Sequence, residues 1–217
     1  MNSASVSEMS VSSDPSLAAP DSAPARHRAE TRRRLVAAAT DLFAREGLRG
    51  TTSTRIARAA GVAAGTFYLH FADKEALFRE IAFGALAELR ARMEAAHRAA
   101  GPAPEAQLRA RMAELVAFAD ERRDLVRIAF GRGYEAGAIG EELVDALFPD
   151  VEARLRERAA EGRVDAALHP AVAAQALIAS WTRIVAWWVE EPSRAPREAV
   201  VETLVRLHPV FTHQRAR

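Results

Sequence analysis

The chain has 217 residues, enough for one large or two smaller cored domains. Its 30 Lys and Arg residues against 29 Asp and Glu leave a formal charge of +1, so composition alone argues for no polyanionic partner, and any such site must come from local clustering. The absence of cysteine excludes disulfides, thiolate metal sites and cysteine nucleophiles, and it fits a reducing, cytoplasmic compartment.

Residues 1–25 are rich in Ser, Ala, Pro and Asp, lack both a basic start and an apolar run, and read as a disordered tail rather than a signal peptide. From there on, apolar residues recur every three to four positions and sustained alternation is missing, which predicts an all-α protein. The first helix carries Leu35, Ala38, Ala39, Leu42 and Phe43 on one stripe and Arg32, Arg33 and Arg34 outside it, and Gly47 is the expected stop. Thr52 is placed to cap a short helix over 53–60, and Gly61 to end it. A second short helix over about 63–70 puts Phe67 and Phe71 on its buried side, so the pair forms a helix-turn-helix. Asp73 can cap a long helix that runs towards His97 and bridges two domains, at 26–74 and 75–217.

Helices follow at about 105–119, 121–130, 141–161, 170–190 and 197–208. The segment 171–189 is apolar nearly all round, but Gln175 and Arg183 interrupt it, and the central arginine alone costs a membrane span about 2.5 to 3.5 kcal/mol. A helix of that kind needs cover on two sides. With the two stripes of the last helix, Val200, Leu204, Leu207 and Val201, Val205, it is expected to supply half of a four-helix dimer interface, with a wholly internal core helix as the alternative.

Chemistry concentrates near the helix-turn-helix. Arg26, Arg28, Arg32, Arg33, Arg34, Arg45, Arg49, Arg55 and Arg58 face only Glu30, Asp41 and Glu46 in that stretch, an excess suited to DNA phosphates. The histidines at 27, 70, 97, 169, 208 and 213 lack the i,i+4 spacing of a helical zinc site. The Gly-rich run 131–140 follows a helix rather than a strand and lacks the Gly-Lys-Ser/Thr ending of a phosphate loop, so it reads as a hinge. No nucleophile and base pair stands out, and no enzyme activity, cofactor or metal is expected. In the second domain Phe118, Phe130, Tyr134, Trp181 and Trp188 are the aromatic candidates for a small-molecule pocket, with core packing as the alternative for each. Arg183 needs a carboxylate, a helix end or a ligand anion.

The stretch RRRLVAAATDLFAREGLRGTTSTRIARAAGVAAGTFYLHFADKEALFREI resembles the DNA-binding domain of TetR-family bacterial transcriptional regulators, in its LF...G, IA..AGV...T.Y.HF and DKE.L elements. The resemblance implies that Tyr68 and His70 reach phosphates, that Thr66 faces the groove, that Lys74 grips the backbone, and that Ser53, Thr54 and Arg55 approach DNA from the preceding helix. Family members commonly carry Ser and a polar or basic residue where this chain has Ala63 and Ala64. Ala64, Gly65 and Thr66 can meet a thymine methyl or a close backbone but cannot make a bidentate base contact, so specificity is expected from Thr54, Arg55, an Arg26 to Arg28 arm and DNA shape. The implied function is that of a homodimeric regulator of operator DNA, a repressor released by a small-molecule effector. The rival reading is an all-helical binding or scaffolding protein with a vestigial helix-turn-helix.

Overall fold

The computed structural model describes residues 22–131, 135–165 and 167–209. The described residues form nine α-helices and no strand: α1 (Ala23–Gly50), α2 (Ser53–Ala59), α3 (Ala64–Tyr68), α4 (Lys74–Ala99), α5 (Pro104–Glu121), α6 (Arg123–Phe130), α7 (Ala138–Ala160), α8 (Pro170–Glu190) and α9 (Arg197–Arg206), with a 3-10 turn at Pro192–Arg194. The all-α expectation holds. Most of the predicted tail, residues 1–21, lies outside the described residues, while Ala23 to Ala25 already belong to α1, whose first turn is capped by the Ser22 hydroxyl. The arm expected at Arg26 to Arg28 is therefore helix, not extended chain.

Local sequence explains the first four helices. Thr52 caps α2 by accepting from the Arg55 amide at 3.3 Å, and Asp73 caps α4 by accepting from the Ala76 amide at 2.6 Å. Ala63, at the N-cap of α3, makes no side-chain bond, which leaves a five-residue helix, shorter at both ends than the sequence suggests. Gly47 breaks α1 at φ 71 and ψ 174, an extended positive-φ conformation almost confined to glycine, and not the left-handed cap expected there. Beyond the break the helix resumes to Gly50 and drops Leu48 into the core.

One buried cluster joins the helix-turn-helix to the rest of the molecule. Leu35, Leu42, Phe43, Ile56, Phe67, Leu77 and Phe78 share it with Ile128, Ala129, Ile139 and Leu143, so the packing is continuous across residue 74 into α6 and α7. Phe43 meets Phe78 edge-on at 5.6 Å between ring centroids. A second cluster packs α5 against α8 and α9, and a third joins α7 to α8. By length and composition α8 could cross a membrane, with mean hydropathy 1.2, but here it contributes to the second and third clusters.

The last helix departs from expectation. Val200, Val201, Leu204 and Val205 are all buried within this chain, so both stripes of α9 are taken up by α5 and α8, and Leu207 alone of the five stays exposed. A helix's apolar face shows in its sequence, whereas the partner that covers it is set by tertiary packing. The outer face left on α8 carries Val172, Gln175, Ala176, Ala179 and Arg183.

Candidate nucleic-acid interface and ligand cavity

Phe67 and Phe71 bury themselves under α3, and the remaining residues of that helix turn outward. Ala64, Gly65, Tyr68 and Leu69 are exposed, Tyr68 by 58%, and Thr66 and His70 are half-buried. The Tyr68 ring leans edge-on against Phe67 at 5.3 Å while the residue stays exposed. Burial, then the charges of Arg28 and Arg32, hold the His70 imidazole below its ordinary value, so it is neutral at pH 7 and offers one N–H. A Cβ on Gly65 would meet nothing within 4 Å, so no neighbour inside the molecule demands glycine there. Ser53 is half-buried and Thr54 exposed at the front of α2.

Much of the arginine excess has structural work. Arg34 donates to the carbonyls of Ala60 and Gly61 and so closes the turn between α2 and α3, where Gly61 sits at φ +66. Arg32 forks onto Glu80 of α4 and lies 4.6 Å from the Phe71 ring centroid, and Arg33 pairs with Glu30. Arg28 donates to the Leu69 carbonyl at 3.4 Å. Arg55 forks onto Glu46, so its guanidinium must exchange a carboxylate for any phosphate or base. Arg45, Arg49 and Arg58 are exposed and pair with no carboxylate among the described residues.

Lys74, expected to grip the DNA backbone, is engaged within the chain. Its ammonium donates to the carbonyls of Leu48 at 2.8 Å and Thr51 at 3.0 Å, fastening the α1–α2 loop to the start of α4. The same loop is held from the other side by Glu135, whose carboxylate accepts from the Leu48 amide at 2.8 Å. Glu135 belongs to the α6–α7 turn, so the turn predicted as a hinge touches the helix-turn-helix unit directly.

A cavity of about 470 Å³ lies among α4, α5, α6, α7 and α8. Its walls are mostly apolar, with Leu86, Leu89, Met93, Leu115, Phe118, Phe130, Leu147, Ile178, Trp181 and Val185 among them. Its volume lies in the range of ordinary small-molecule sites. Polar groups gather at one side: Arg90 pairs with Asp150 at 3.1 Å, and Glu94 stands 3.7 Å from Arg111 and 3.6 Å from Arg154. An adjoining small cavity of about 30 Å³ is lined by Arg111, Arg154, Arg158, Trp181 and His208 with Leu108, Met112, Val151 and Leu155. Arg111 Nη1 and Trp181 Nε1 are buried there with no hydrogen-bond partner among the described residues. Burial, then Arg154, pushes the Arg111 guanidinium down to about 10, and burial, then Arg158 and Arg111, pushes His208 down to about 3.

The family model of the bacterial regulatory proteins of the tetR family matches residues 35–81. Over these residues the chain is similar to the DNA-binding domain of that family. The HTH-type transcriptional repressor KstR2 of Rhodococcus jostii is 47% identical over 58 residues, 27% of this chain and 28% of that one. The sequence similarity to curated relatives thus spans about a quarter of their length, 24% for another relative. Solved structures extend the likeness in fold to most of the chain. NalD of Pseudomonas aeruginosa, the secondary repressor of a multidrug efflux pump, aligns at 25% identity and TM-score 0.66 over 86% of this chain and 96% of that one. FadR of Bacillus subtilis, solved with stearoyl-CoA, aligns at 20% identity and TM-score 0.68 over 82% and 98%.

Three expected pocket residues, Phe118, Phe130 and Trp181, do line the cavity. Trp188 does not: it is buried among α5, α8 and α9, and its indole N–H donates to the Ala195 carbonyl at 2.9 Å, anchoring the turn into α9. Arg183 also stands apart, exposed on the outside of α8 beside two shallow surface depressions and without an ion pair among the described residues. Tyr134 lies outside the described residues. Arg111, Arg154 and Arg158 were missed. The signal was present: Arg111 falls between Leu108 and Leu115 in the inward register of α5, and Arg154 and Arg158 follow Leu147 and Val151 in that of α7.

Proposed function

We propose that the protein is a homodimeric, DNA-binding transcriptional repressor of the cytoplasm that releases its operator when a small, largely apolar molecule occupies the α4–α8 cavity. One observation carries the reading: the recognition unit and the cavity share a continuous core, with α4 and the Glu135 tie running from one to the other.

The recognition helix docks through Tyr68, neutral His70 and the exposed arginines on phosphates, while Ala64, Gly65 and Thr66 meet the groove floor. Ser53, Thr54 and Arg55 approach from the front of α2, Arg55 after leaving Glu46. Lys74 supports the site by holding the loop ahead of α2. Two copies joined through the outer faces of α8 and α9 present two recognition helices, and the spacing of successive major grooves, about 34 to 36 Å, must be met for both to bind. Cavity occupancy that favours another setting of α4 and of the Glu135 turn lowers DNA affinity, about tenfold for each 1.4 kcal/mol of coupling.

The likeness to KstR2, a transcriptional repressor, supports repression, and the stearoyl-CoA complex of FadR supports a cavity of this fold taking an effector with an apolar chain. The test is retardation of a fragment of the protein's own promoter, followed by release on adding the organic extract of natively purified protein. Retardation with release is expected. A protein that binds no DNA at low salt contradicts the reading and leaves a helical scaffold. A monomer mass in light scattering at micromolar concentration contradicts the dimer.

A further inference from the structure

Positive charge concentrates around the small cavity beside the main chamber, with Arg111 the most enclosed of its arginines. Arg111, Arg154 and Arg158 line it, and Glu94, the carboxylate nearest to Arg111 and Arg154 among the described residues, stands beyond hydrogen-bond distance of both while also serving Arg98 at 3.8 Å. Asp150 is engaged by Arg90. Leu108, Met112, Val151 and Leu155 close the remaining walls. A buried guanidinium N–H and a buried indole N–H on the walls of one cavity, both without a hydrogen-bond partner among the described residues, are an unfavourable arrangement unless something accepts from them.

We propose that this small cavity receives the carboxylate of an amphipathic organic acid whose apolar body fills the adjoining chamber, with Arg111 and Trp181 as its two donors. The inference rests on the ligand-response reading and adds the chemical class and the orientation of the effector. Arg111 and Trp181 belong to the walls of both cavities, so a group held between them lies at the mouth from one to the other. About 30 Å³ matches one water-sized polar head and not the linked phosphates of a nucleotide, so the geometry favours a free acid over its coenzyme A thioester. His208 is held neutral by its burial and by Arg158 and Arg111, so it adds no charge that competes for the anion. A neutral ligand of the same chain length leaves the Arg111 N–H unmatched and binds more weakly.

Full-length protein titrated with decanoate, decanol and decanoyl-CoA, read by tryptophan fluorescence and calorimetry, tests this. Decanoate is expected to bind at least tenfold tighter than decanol. Arg111→Met is expected to erase that preference by weakening decanoate alone, and Trp181→Phe, which keeps the ring and removes the donor, to reduce it severalfold, with circular dichroism confirming both folds. If Arg111→Met does not fold, Trp181→Phe alone decides, and an unchanged preference there overturns the proposal. Equal binding of decanol and decanoate to the unmodified protein, or binding of decanoyl-CoA without decanoate, also overturns it. Decanol matching decanoate while either one releases promoter DNA leaves the ligand response standing and removes only the anion receptor. Decanoate preferred but without effect on DNA affinity supports the receptor and contradicts the ligand response.

Discussion

The helix-turn-helix unit and the α4–α8 chamber handle their polar groups in opposite ways. Around α2 and α3 the backbone ends are tied off: Arg34 takes the carbonyls of the Gly61 turn, Lys74 takes those of Leu48 and Thr51, and Glu135 takes the Leu48 amide. Around the chamber, Arg111 Nη1 and Trp181 Nε1 stay unmatched and an apolar volume of about 470 Å³ stays open. Tied-off ends give one rigid shape, suited to a surface that must dock in fixed register. Unmatched groups lining a void give a site that another molecule completes.

The largest effect that separates the two regions is a truncation in each core. Phe67 is fully buried under α3, so Phe67→Ala is expected to cost about 3 to 5 kcal/mol in denaturant unfolding. Phe130 is half-buried on a chamber wall, so Phe130→Ala is expected to cost under about 1.5 kcal/mol. Equal costs would break the contrast between a closed core and an open one.

Acid unfolding sharpens the same contrast from the chamber side. His208 titrates at about 3 in the folded chain against an ordinary value near 6.5, so between those values the unfolded chain binds the extra proton. Stability is therefore expected to be flat above about pH 7 and to fall as pH drops through 6.5 towards 3, with His208→Phe flattening part of that slope in pH-dependent denaturation. An unchanged slope in the variant would show that His208 is not the group held neutral.

Lys74→Met comes next, at about 1 to 3 kcal/mol of lost stability, because two carbonyls lose a charged donor. Thermal unfolding and DNA affinity must be measured together here. Lost affinity with unchanged stability would support the phosphate-gripping role that the family resemblance implies for Lys74. The smallest expected effect is at Gly65, where a methyl group meets open space: Gly65→Ala is expected to stabilise the free protein by about 0.5 to 1 kcal/mol while weakening DNA binding. Improvement of both would mean that no DNA surface approaches that position.

What the sequence revealed was mainly local. The caps at Thr52 and Asp73, the i,i+4 pair Phe67 and Phe71, and the apolar stripe of α1 all depend on residues within a turn of one another, and all hold. What it hid was distant. Arg55 meets Glu46 nine residues away, Lys74 meets Leu48 across 26, and Glu135 meets Leu48 across 87. Trp188 turned from a pocket candidate into an anchor because the Ala195 carbonyl comes back to its indole after the 3-10 turn, which no helical periodicity encodes. The fate of α9 follows the same rule: both stripes were visible, but not that α5 and α8 would cover them. Arg111 is the instructive exception, because its inward register was readable and only the habit of treating arginine as surface concealed it.

The central claim is that the outward face of α3 and the front of α2 dock on DNA phosphates and groove. Fluorescence anisotropy of the protein on a fragment of its own promoter, over a salt series, tests it most directly, with the Arg55→Ala, Tyr68→Ala double variant beside the unmodified chain. The account predicts an affinity that falls steeply with salt and a loss of more than about tenfold in the double variant, with unfolding unchanged because both side chains are about half exposed or more. Equal affinity of the two proteins for that fragment would contradict it.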